Sequence, residues 1–214
     1  MIKKEYRLLE SFIKKPWKKF KYKEIKNYSK NKSVSYVFTL LKKFAKEGVL
    51  NEEKAGNVIL YSLNFDSLIG LAYIGFISEY TSFTKKHLSI KNLKKIMKKI
   101  PTSFFIFLVT GSYANNTFTK KSDIDVVIIC DDSVEIDKVY SELRYESEMS
   151  IPKIHLYIFK EIEFFKMLLD NKQNYGKEIS KNNLILYGGK EYLKILGKAI
   201  KNGFTGWNIF GKSR

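Results

Sequence analysis

The chain is expected to fold in the α+β / α/β class, as a small helical unit closed by a β-hairpin and then a mixed sheet flanked by helices. Three features carry that expectation. Before residue 47 apolar residues recur at helical spacing in three stretches, and two extended segments around a polar turn follow. Beyond residue 101, strand-like apolar runs alternate with helical ones, the pattern of a sheet with helices packed on it. Between these parts, residues 66–85 are so rich in Leu, Ile, Ala and Phe that a helix there must be buried on more than one side.

Taken in order, Ile2, Tyr6, Leu9, Phe12 and Ile13 predict a first helix from Met1 to about Lys15, which Pro16 ends. Residues 22–29 predict a short second helix, and Asn31-Lys32-Ser33 a polar break with Ser33 as N-cap. A third helix runs from Val34 to Glu47 with Val37, Leu40, Leu41 and Phe44 on one face, and Gly48 stops it. Val49-Leu50, a polar turn over 52–57 and the run Val58–Leu63 read as a hairpin. The apolar helix over 66–85 suits packing between two domains or two copies of the chain, so a homodimer is one expected assembly. Ile90, Leu93, Ile96, Met97 and Ile100 form one stripe of the next helix, opposite its lysines, and Pro101 closes it. Strands are then expected at 103–110, 123–130 and 153–159, with helices at 134–146, 160–170 and 190–202. The implied division is 1–65, a helical connector 66–100, and 101–214, with a glycine-containing tail from Gly203 to Arg214.

The 214 residues carry a net charge of +17, and its distribution is uneven. Residues 1–100 hold 23 Lys and Arg against 8 Asp and Glu, while residues 101–214 hold 16 against 14. A half so basic suits a polyanionic partner such as DNA or RNA, through phosphate neutralisation and counterion release. Cys130, the single cysteine, excludes an internal disulfide and a cysteine-based metal site. No apolar run is long enough to span a membrane, and the start is amphipathic rather than a signal-peptide core, so a cytoplasmic location without membrane contact is expected.

One stretch asks for chemistry rather than packing. The apolar run Phe104–Val109 ends in Thr110-Gly111-Ser112-Tyr113, and after a polar excursion Ser122-Asp123-Ile124-Asp125 leads into Val126-Val127-Ile128-Ile129. Residues i and i+2 of a strand share a face, so Asp123 and Asp125 project together while Ile124 and Val126 face the core. Two carboxylates held close repel unless something positive sits between them, and a hard divalent cation such as Mg²⁺ is the usual candidate. A glycine at the strand end lets the backbone approach a triphosphate closely, and the Ser112 hydroxyl can donate to its oxygens.

Gly111-Ser112, ten residues, then Asp123-Ile124-Asp125 resembles the signature of the minimal nucleotidyltransferases of prokaryotes, within the superfamily that includes DNA polymerase β. The resemblance covers about residues 95–200, and Leu186-Tyr187-Gly188-Gly189 before an apolar helix resembles the end of the same domain. It implies Asp123 and Asp125 as metal ligands and catalytic groups, and Gly111, Ser112 and Ser122 on the nucleotide. It further implies Mg²⁺ as cofactor, ATP or another NTP as substrate, and transfer of a nucleotidyl group to a protein or nucleic acid with release of pyrophosphate. Some relatives are antitoxins that modify a toxin, which makes a toxin-like protein an expected partner. Active members place a third carboxylate on a neighbouring strand; here the centre of that strand holds His155 and no Asp, so either a displaced Glu completes the site, from Glu146 and Glu148 before the strand or Glu161 and Glu163 after it, or His155 acts as base or ligand. Without turnover, the same domain would bind nucleotide in a transcriptional regulator.

Three helices and a hairpin over 1–65, with Phe44-Ala45-Lys46-Glu47-Gly48-Val49-Leu50 at the turn, resemble a winged helix-turn-helix domain. The resemblance implies duplex DNA as partner, with the third helix offering Ser35, Tyr36, Thr39, Lys42 and Lys43. The near absence of Arg favours contact with the backbone over base discrimination.

Overall fold

In the computed structural model, which describes residues 4–29 and 33–206, the first helix is in two pieces. Lys4–Leu9 wind as a 3-10 helix and Glu10–Lys14 as α1, burying Leu8, Leu9 and Phe12. Ile2, Asn31, Lys32 and residues 207–214 of the tail lie outside the described residues. The helix α2 (Tyr22–Ser29) and the helix α3 (Val34–Lys46) follow where periodicity put them. The Ser33 hydroxyl caps α3 by accepting the Tyr36 N–H at 3.3 Å. Gly48, at φ +72°, releases the chain from α3 in a conformation that costs glycine little.

The hairpin differs from expectation at its turn. Strand β2 (Leu50–Ala55) continues through Glu52-Glu53-Lys54, which pair in register with Tyr61, Leu60 and Ile59 of β3 (Val58–Leu63). The turn itself is Gly56-Asn57; the acidic stretch is polar because its face is exposed. A two-residue strand, β1 (Phe20–Lys21), joins β3 to give the order β1-β3-β2, and two residues are too few for alternation to announce them.

The chain continues through helix α4 (Leu68–Phe83), helix α5 (Ile90–Lys99), strand β4 (Phe105–Thr110) and the short helix α6 (Gly111–Asn115). Strand β5 (Ile124–Cys130), helix α7 (Ile136–Glu148) and strand β6 (Ile154–Lys160) form a parallel crossover. Helices α8 (Glu161–Leu169) and α9 (Tyr175–Lys181), strand β7 (Leu184–Tyr187) and helix α10 (Gly189–Lys201) complete it. The sheet order is β6-β5-β4-β7, with β4 antiparallel to both neighbours. Sequence periodicity missed α9, whose seven residues bury little besides Ile179, Gly176 and Ser180.

Both faces of the central strands β4 and β5 are covered, which is why these two read as unbroken apolar runs. Phe107, Val109, Val126 and Ile128 meet α5 and α7 through Leu93, Ile96, Val139 and Leu143. Ile106, Leu108, Val127 and Ile129 meet α8 and α10 through Phe164, Leu168, Ile195 and Leu196. Two sides of α4 are packed, while its Leu68, Ile69 and Phe76 stay exposed. Leu71 and Ile74 enter the core of the N-terminal unit, while a Cβ on Gly75 would stand 2.5 Å from the Lys190 nitrogen of α10. Among the described residues no helix is long and apolar enough to cross a membrane.

Candidate active site at the Thr110 end of the sheet

Strand register assembles the site. Asp125 lies opposite Thr110 of β4 and beside His155 of β6, and Asp123 immediately precedes β5. The chain leaves β4 through Gly111 at φ +64°, and a Cβ there would fall 2.2 Å from Asp125 Oδ2. Glycine is therefore required twice, for the backbone conformation and for the room the carboxylate takes. The turn is held from a part of the chain that the sequence did not single out. Thr110 Oγ1 donates to the Asn182 carbonyl at 2.7 Å, and the Asn182 side-chain amide donates to the Gly111 carbonyl at 3.0 Å.

His155 lies between the two carboxylates, with Nε2 3.2 Å from Asp123 Oδ2 and Nδ1 3.7 Å from Asp125 Oδ1. Burial pushes the Asp125 carboxyl above its ordinary value; His155 draws it down and Asp123 adds to the rise. A half-buried carboxylate with a second one two residues away is costly, and the imidazole meets that cost in part.

The segment between Ser112 and Asp123 is fixed by stacking. The buried Tyr113 ring lies 4.5 Å from Phe118 at 13°, and His87, between α4 and α5, stacks on Phe118 at 5.1 Å. His87 Nε2 also stands 3.0 Å from the Tyr113 carbonyl. The Ser122 hydroxyl accepts the Thr119 N–H at 2.8 Å and so closes the loop's last turn, whereas the Ser112 hydroxyl, half-buried, has no hydrogen-bond partner among the described residues. Two residues beyond His155 on β6, Tyr157 packs against Tyr175 of α9 with ring centres 4.7 Å apart. Burial first, then Tyr157 and the Asp125 charge, push the Tyr175 phenol well above its ordinary value.

Among the described residues no group of three or more His, Cys, Asp or Glu is placed to hold a metal by itself. Asp123 and Asp125 nevertheless fit Mg²⁺, which is commonly held by one or two carboxylates while phosphate oxygens and water complete its shell. The five residues singled out on α3 form a separate set. Ser35, Tyr36, Thr39, Lys42 and Lys43 are all exposed on that helix, with Lys42 paired to Glu52 and Lys43 to Glu5 at 3.1 Å.

Residues 90–187 match the nucleotidyltransferase domain family. The matched nucleotidyltransferase domain thus reaches from α5 to β7 and contains Gly111, Ser112, Ser122, Asp123, Asp125 and His155, and the match supports a nucleotidyltransferase-type function. A solved structure described as the crystal structure of the toxin-antitoxin with AMP-PNP is similar at 15% identity and a TM-score of 0.39, over 54% of this chain and 86% of its own. No curated protein matches the chain.

Proposed function

We propose that the chain is a Mg²⁺-dependent nucleotidyltransferase that moves an adenylyl group from ATP to a hydroxyl of a protein or nucleic acid. The observation that carries this reading is the contact of Gly111 with Asp125: the phosphate-side turn and the metal-side carboxylate are built to occupy adjoining space, down to the missing Cβ. Magnesium held by Asp123 and Asp125 would neutralise triphosphate charge and acidify the acceptor hydroxyl. In the transfer the acceptor oxygen bonds to the α-phosphorus, the bond to the bridging oxygen breaks and pyrophosphate leaves. The hydroxyl proton passes to His155, and Asp123, 3.2 Å from Nε2, stabilises the imidazolium that results. Ser112, whose hydroxyl has no hydrogen-bond partner among the described residues, donates to a phosphate oxygen, and the Tyr157 ring, partly exposed, gives the nucleobase a face to stack on.

The N-terminal unit would hold the enzyme on duplex DNA through α3, in the manner of a winged helix. A second reading draws on one specific observation, the histidine where active relatives carry an acid. In that reading the chain is a DNA-binding regulator whose nucleotidyltransferase domain binds nucleotide without transfer. Incubation with labelled ATP, Mg²⁺ and candidate acceptors separates the two. Label on an acceptor with the wild type and none with Asp123→Ala/Asp125→Ala supports transfer; ATP binding without label in any acceptor supports the regulator.

A further inference from the structure

The β4–β5 pair that carries the carboxylates at one end borders a cleft of about 730 Å³ at the other, lined by α4, β7 and the N-terminal turns of α8 and α10. Asp125 and Cys130 are five residues apart on β5, which separates the two places by about 17 Å. The cleft is therefore distinct from the transfer site. Its walls are aromatic and turned to solvent: Phe104 is 76% exposed, Phe76 54% and Tyr187 42%, with Tyr187 stacked on Phe105 at 4.6 Å. Aromatic surface of that extent, gathered in a concavity of small-molecule size, marks a place for a ligand.

Charge decides what ligand. Glu79, Asp131, Glu161 and Glu191 all line the cleft, against Lys190 as its single base. The chain has 39 Lys and Arg residues, yet among the described residues Glu79, Asp131 and Glu161 form no ion pair, and Glu191 meets Lys194 only at 3.7 Å. Glu79 takes the Gly189 N–H at 2.7 Å, and burial pushes its carboxyl above the ordinary value. An anion would meet four carboxylates, and a neutral molecule would leave them as they are. A cation with an apolar body would answer both the charge and the aromatic faces.

We propose that this cleft binds a small organic cation, an amine or guanidinium on an aromatic or aliphatic body. The test uses 4-phenylbutylamine, 4-phenylbutanol and 4-phenylbutyrate as probes of one shape and three charges, with binding read by ligand-detected nuclear magnetic resonance on the full chain. The amine should bind about tenfold more tightly than the alcohol, and the acid not at all. Asp131→Asn/Glu161→Gln should remove that preference, and Phe104→Ala, at an exposed position that leaves the fold intact, should weaken amine and alcohol alike. Glu79 is kept, because its carboxylate also anchors α10. Asp123→Ala/Asp125→Ala should leave amine binding unchanged, and its loss in that variant would mean that the amine sits on the transfer site. That outcome, no binding of the amine to the wild type, or equal binding of amine and alcohol, overturns the proposal.

Discussion

The N-terminal unit and the Thr110 end of the four-stranded sheet handle charge in opposite ways. In the first, lysines are spread over exposed surface and meet single glutamates, Lys19 with Glu53, Lys42 with Glu52 and Lys43 with Glu5. Pairs this exposed contribute little and weaken in salt, so nothing in the fold depends on them. In the second, register and a missing Cβ force two carboxylates and an imidazole into one place, one carboxylate against its own preference. Dispersed charge can be exchanged with a partner at small cost, whereas converging charge is costly to the fold and persists where a ligand makes use of it.

The contrast breaks most sharply at the carboxylates. Asp123→Ala/Asp125→Ala should lower acceptor labelling by about a thousandfold or more with the fold intact by circular dichroism. Residual labelling within tenfold of wild type would move the chemistry elsewhere. Gly111→Ala comes next: a left-handed backbone costs a side-chain-bearing residue about 1–2 kcal/mol, and the added methyl would displace Asp125. A shift of that kind should lower the rate about a hundredfold, and an Ala variant with wild-type rate and stability would refute the close approach.

His155 tests whether the imidazole belongs to the chemistry. As the proton acceptor, its replacement by Ala should lower transfer about a hundredfold, while His155→Asp, beside Asp125 in the parallel register, should stay within about tenfold of wild type. An Ala variant as fast as the wild type would leave His155 without a part in proton transfer. The dispersed charge gives a smaller signal. Lys42→Ala/Lys43→Ala should reduce the slope of log affinity for duplex DNA against log salt by about two, and an unchanged slope would take α3 off the DNA.

The parts of the fold legible in the sequence are those with a long period or a fixed spacing. The Gly-Ser and Asp-x-Asp spacing anticipated that Gly111 and Asp125 meet at one end of the sheet, because a tight strand exit and alternate residues on a strand leave little geometric freedom. Asn182 was illegible: it acts through a carbonyl and an amide 72 and 71 residues from their partners, and one asparagine in a polar stretch carries no period. Tyr175 was hidden for a related reason, since α9 is two turns long and its position beside Tyr157 follows from the packing of α8 and α9. The cleft was invisible because its acids come from α4, the end of β5, α8 and α10, each reading alone as a solvated residue.

The smallest expected effect concerns stability. Burial first, and then Asp123, push the Asp125 carboxyl up against the opposing pull of His155. The folded chain therefore holds that proton more tightly than the unfolded one. The stability this gives is fully present below the unfolded value of 3.8 and is lost as pH rises through the raised folded value. At neutral pH the ionised carboxylate is thus a net cost to the folded chain, one that a cation bound as in the proposed reaction would offset. Asp125→Asn cannot ionise, so it should abolish transfer yet raise Tm by a few degrees in magnesium-free buffer at about pH 7. The gain should shrink as the wild type is protonated toward about pH 4. A lower Tm for the variant at neutral pH would mean that pairing with His155 outweighs burial, and that the converging charges stabilise this end of the sheet.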